Sequence, residues 1–104
     1  MLKKLTAEAL GTGFLMAVVV GSTLMGSRLS QDAALGLLAT SLTVGLALYA
    51  SITLMGPVSG GHLNPVVTLP ALLRREVSAR TALSYIAAQT LGALVGVTLA
   101  HLMF

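Results

Sequence analysis

The sequence predicts an all-α membrane protein with three transmembrane helices and one re-entrant half-helix. Three observations carry that class. The 104 residues are 56% hydrophobic and only 9% charged, with a mean hydropathy of +0.95, far from the roughly 25% charged residues of soluble domains. Three apolar runs are each close to the ~20 residues that cross a hydrocarbon core. A fourth segment, opening at Asn64-Pro65 and closed by Arg74-Arg75, is too short to cross about 30 Å at 1.5 Å per residue.

The first run, about 4–27, follows Lys3-Lys4. A secretory leader also pairs basic residues with an apolar stretch, but its apolar part is only ~7–15 residues long, so a retained crossing is expected. Glu8 lies four residues after Lys4, the spacing of neighbours on one helical face. Two readings stand side by side: an interfacial ion pair with Lys4, or a carboxylate that accepts hydrogen bonds from a nearby irregular loop.

Arg28 to Asp32 is a short polar connection, and the second run, about 33–55, ends where Gly56-Pro57 should stop it. Thr40, Ser41, Thr43, Gly45, Ser51 and Thr53 are spread along it, as small and polar residues that serve helix packing.

The re-entrant segment, about 57–75, holds Ser59-Gly60-Gly61-His62-Leu63-Asn64-Pro65-Val66-Val67-Thr68-Leu69. Asn64 reads as an N-cap and Pro65 as the first helical residue, where a missing N–H costs nothing. A half-crossing helix behind a glycine-rich loop must keep its free backbone groups in protein or in water. Its N-terminus carries about half a positive elementary charge, which disfavours cations. The carbonyls of Ser59, Gly60, Gly61 and His62 and the Asn64 carboxamide would suit neutral, hydrogen-bonding solutes. The alternative is that Asn64 only caps a buried helix.

The third run, about 78–104, follows the charge cluster Arg74-Arg75-Glu76-Val77-Ser78-Ala79-Arg80. Ala88, Gly92, Gly96 and Ala100 recur every four residues, a stripe for close helix approach. Gln89 is expensive at mid-span unless bonded, either as a core amide or as a prop for the loop. His101 reads as interfacial.

A single membrane domain, 1–104, follows. Lys3, Lys4, Arg74, Arg75 and Arg80 share one side, with Arg28 on the other, so the N-terminus and the loop's entry side are expected in the cytoplasm and the C-terminus outside. The net charge of +3 reads as this topology signal, with no nucleic-acid partner. The lipid bilayer is the expected partner and a bacterial inner membrane the expected location. The chain has no cysteine, and no cofactor, metal site or enzyme chemistry is expected.

The stretch Ser59 to Leu69 resembles the first asparagine-proline-alanine box of the aquaporin and glycerol-facilitator (major intrinsic protein) superfamily. Ala7-Glu8-Ala9-Leu10-Gly11-Thr12 is similar to that family's first-helix opening, Gly45-Leu46 to its second helix, and Ala87-Ala88-Gln89-Thr90-Leu91-Gly92-Ala93 to its third. The likeness implies one inverted repeat of an aquaporin-like fold, the N-terminal half of a usual member. It implies passive transport of water or small neutral solutes such as glycerol or metalloid hydroxides. Asn64 and Pro65 would lie in the pore, His62, Gly61 and Gly60 would lend carbonyls, and Glu8 and Gln89 would hold the loop. Val66 stands in place of the box's alanine. Val44 stands where relatives tend to carry a bulky aromatic, suggesting a wider gate, and Val67 matches the position of the filter arginine in the other half. A second half is then needed, from another copy, a separate chain or a C-terminal segment, and a tetramer is the family's expectation. Two other classes compete: a small dual-topology proton-coupled exporter and an accessory membrane subunit without transport.

Overall fold

The computed structural model describes residues 1–103, whose regular elements are all helices: α1 Leu2–Leu29, α2 Ala33–Ser59, α3 Pro65–Leu73 and α4 Ala79–Met103. The expected end of the last crossing at Phe104 lies outside the described residues. Three helices, α1, α2 and α4, are long and apolar enough to cross a membrane, and the molecule's longest dimension is 46 Å, enough for a ~30 Å core with its headgroup layers. At 9 residues, α3 reaches only about 14 Å.

Each boundary has a local cause. Asp32 caps α2, its carboxylate accepting from the N–H groups of Ala34 (2.9 Å) and Leu35 (3.3 Å). The expected stop at Gly56-Pro57 is not where α2 ends. The helix continues with Pro57 inside it to Ser59, and closes on Gly60 at φ 90°, whose N–H donates to the Gly56 carbonyl at 2.8 Å. Proline in the last turn forfeits one hydrogen bond, whereas an earlier break would strip several backbone groups in a region without water. Asn64 caps α3 as expected, its Oδ1 accepting from Val66 N–H at 2.8 Å. The other end of α3 is closed by a Schellman motif: Arg75, at φ 59°, donates to the Leu72 carbonyl and Glu76 to that of Ala71.

The centre of the bundle is α1, which packs against α4 on one side and α2 on the other, while α3 packs on α4. The small-residue stripe of α4 explains the first contact. A Cβ at Gly92 would overlap the carbonyl of Ala9, and one at Gly96 that of Gly13, so the two backbones touch. Ala88, Gly92, Gly96 and Ala100 are all buried. On α2, Thr43 and Thr53 are exposed and return their hydroxyls to the carbonyls of Ala39 and Tyr49. Ser51 is buried instead, with no partner for its hydroxyl among the described residues.

Candidate functional site

The loop between α2 and α3 is built against one side chain. Glu8 is 0% exposed, the extreme of burial for a carboxylate, and such a group must be fully hydrogen-bonded. It is: Oε1 accepts from the Leu63 N–H at 3.0 Å and from Gln89 Nε2 at 2.7 Å, and Oε2 accepts from Ser59 Oγ at 2.6 Å. Thus α1 grips both ends of the loop, and α4 braces the grip. Lys4 is exposed, and no ion pair joins it to Glu8 among the described residues.

Three further side chains complete the clamp. Thr12 Oγ1 donates to the Leu63 carbonyl at 3.1 Å, Tyr85 O–H donates to the Ser59 carbonyl at 2.6 Å, and Thr68 Oγ1 accepts from Gln89 Nε2 at 3.1 Å. None of the three was singled out in the sequence, yet each had a signal. Thr12 follows Glu8 by four residues, Tyr85 precedes Gln89 by four, and Thr68 follows Asn64 by four, so each shares a helical face with a residue that was.

These contacts sort the loop's carbonyls. The Ser59 carbonyl, expected among the pore acceptors, is instead taken by the Tyr85 hydroxyl, that of Leu63 by Thr12, and that of Asn64 accepts from the N–H groups of Val67 and Thr68. Those of Gly60, Gly61 and His62 accept nothing from the protein among the described residues. Gly60 and Gly61 lie at φ 90° and 62°, a left-handed pair that glycine reaches without strain and that turns the chain back on itself. Leu63, at φ 57° and 3% exposed, adopts the same region without that freedom. Its side chain fills the space over Gly11 of α1, which Met55 of α2 also borders.

The depth of the loop follows from its partner. Thr12 lies ten residues into α1, about 15 Å along the axis, half of a ~30 Å core. The Asn64-capped tip of α3 therefore lies beside Thr12, well inside the length of α1, and α3 returns towards the end of the bundle where α1 begins. Asn64, Val66 and Val67 are exposed at this tip, with Val66 at 72%. Since Asn64 Oδ1 is committed to the cap, its Nδ2 hydrogens are the donors left over. Val44 is half-buried on α2, fifteen residues before Ser59, about 22 Å along that helix and away from the clamp.

Residues 1–104 match the family described as Major intrinsic protein. The chain is 45% identical over 102 residues to aquaglyceroporin AqpS of Rhizobium meliloti (strain 1021), covering 98% of this chain and 44% of that protein. It is 41% identical over 95 residues to mouse aquaporin-5, covering 90% of this chain and 34% of the relative, and 33% identical over 101 residues to human aquaporin-4, covering 97% and 31%. The chain thus spans less than half the length of these curated relatives. With its three apolar helices and its buried clamp on a half-length fourth, the chain belongs to the major intrinsic protein family, whose members are membrane channels and not enzymes.

Proposed function

We propose that the chain forms one half of a channel for passive movement of water and small neutral hydroxylated solutes, completed by a second half. The single observation that carries this reading is the row of unclaimed carbonyls at Gly60, Gly61 and His62 beside the electropositive, Asn64-capped end of α3. At mid-depth such groups need water or a hydrogen-bonding solute. Carbonyl acceptors and the Asn64 Nδ2 donor offer both senses of hydrogen bond, and the helix end repels cations. Val44, Val66 and Val67 would give a comparatively wide, uncharged wall, in keeping with a relative named as an aquaglyceroporin.

The second half would cover the exposed side of α3, where Val66, Leu69 and Leu73 are left open at 72%, 48% and 82%. The charge bias, with Lys3, Lys4, Arg74, Arg75 and Arg80 on one side, favours a fixed orientation with the N-terminus cytoplasmic. That counts against an opposed pair of identical copies. A proton-coupled exporter is disfavoured for another reason: the three donors on Glu8 come from its own chain, leaving no room for a cargo.

Asn64→Asp tests the reading. Aspartate caps a helix as well as asparagine, so α3 should persist, but the Nδ2 donor is lost and a negative charge is placed at the capped end of α3. In vesicles carrying the chain with its second half, swelling under water and glycerol gradients should fall by at least about tenfold, equivalent to a barrier higher by ~1.4 kcal/mol. Unchanged flux of both solutes would sink the assignment.

A further inference from the structure

His62 places Nδ1 3.0 Å from Thr68 Oγ1 and stands edge-on to Tyr85, ring centres 5.2 Å apart and planes at 68°. A neutral imidazole has one donor nitrogen and one acceptor, and hydrogen bonds traced back to Glu8 decide which is which. Glu8 accepts on both oxygens, so the Gln89 amide must turn its Nε2 towards it. That leaves Gln89 Oε1 buried and without a partner among the described residues. The flipped amide would set two acceptor oxygens 2.7 Å apart, a worse outcome than one orphaned carbonyl. The other Nε2 hydrogen goes to Thr68 Oγ1.

Thr68 has one proton to give, and two acceptors are near: His62 Nδ1 at 3.0 Å and the Asn64 carbonyl at 3.4 Å. That carbonyl already accepts from the N–H groups of Val67 at 3.0 Å and Thr68 at 3.1 Å. A separation of 3.4 Å is also long for an O–H···O bond. The proton therefore goes to His62.

We infer that the chain of contacts Glu8, Gln89, Thr68 fixes His62 in the Nε2–H tautomer, so that the nitrogen left outside the clamp is a donor. Thr68 is then a positioning residue, setting the sense of a contact that it does not make. The Nε2 edge lies beside exposed Gly60 and meets no other polar group of the protein among the described residues. What this does for transport rests on the channel reading above: an N–H donor set next to three carbonyl acceptors selects solutes whose oxygen accepts as well as donates.

The test is nitrogen-15 NMR of the imidazole in the lipid-reconstituted chain, with His101→Asn leaving His62 as the one histidine. The expected spectrum has a protonated Nε2 and a bare, hydrogen-bonded Nδ1, retained in Thr68→Ser. In Thr68→Val the Nδ1–H fraction should rise about fivefold, the ratio that one ordinary hydrogen bond sustains. A predominant Nδ1–H form with Thr68 intact overturns the inference, as does an unchanged tautomer ratio in a folded Thr68→Val chain. If that variant does not fold, the intact chain and Thr68→Ser decide. Flux measured in parallel separates the two readings: Nε2–H without transport counts against the channel alone, and transport with Nδ1–H counts against the tautomer assignment alone.

Discussion

Glu8→Ala is expected to destabilise the chain by about 2–5 kcal/mol and to release the loop between α2 and α3. Three buried donors, from Leu63, Gln89 and Ser59, converge on that carboxylate. Leaving a buried donor unmade costs about 1–3 kcal/mol each, reduced where an unfolded chain in lipid also finds partners. Glu8→Gln should cost far less, roughly 1 kcal/mol, the size of a single net hydrogen bond. An amide oxygen in place of Oε1 still serves Leu63 and Gln89. The new N–H₂ group meets Ser59 Oγ, which can turn its own proton to the Met55 carbonyl, 3.3 Å away. Unfolding of the chain in mixed micelles of increasing denaturing detergent, with proteolysis inside 59–64 as the local readout, measures both. Equal losses for the two variants would mean that the charge, and not the acceptor geometry, holds the loop.

The second large effect is expected at Gly96. A side chain there would enter the space of the Gly13 carbonyl, and backbone cannot yield as a flexible side chain does. Gly96→Leu should force α1 and α4 apart and cost about 1–3 kcal/mol or more. Because the same interface brings Gln89 to Glu8, separation should also open the loop, and cleavage within 59–64 should rise along with the loss of stability. Gly45→Ala is the internal control. Nothing lies within 4 Å of a Cβ at Gly45, so it should be neutral or slightly stabilising, since glycine is the poorer helix former. If both substitutions behave alike, the α1–α4 contact is not the close packing described.

Much of this architecture could be read without coordinates because a bilayer leaves few options. Run lengths located α1, α2 and α4, and the Asn64-Pro65 pair located the start of α3, since cap chemistry is local. The end of α2 was misread at Gly56-Pro57 because the rule that proline stops a helix weighs one lost bond against water, and here the competitor is lipid. Thr12, Thr68 and Tyr85 carry no such signature in the sequence, for a different reason. Helices that are apolar all round have no polar face to mark the outside, so the inward face is recognisable only through sparse polar residues, and those bond either locally, as Thr53 does, or across the fold, as Thr12 does. Which loop carbonyls are spoken for is a fact of three dimensions. Spacing alone leaves Glu8 between Lys4 and the loop, the family resemblance points to the loop, and the fold shows the partners to be Ser59, Leu63 and Gln89.

The depth of the α3 tip is the most direct test of the channel reading. With no native cysteine, single nitroxides attached at Ser30→Cys, Val66→Cys and Leu73→Cys in the lipid-reconstituted chain can be ranked by relaxation with oxygen against a water-soluble nickel chelate. The geometry predicts Val66 near the bilayer centre, Leu73 at the interface on the N-terminal side and Ser30 at the opposite interface. Val66 and Leu73 at one shallow depth, or Leu73 beside Ser30, would contradict a half-crossing helix and remove the reason for a pore.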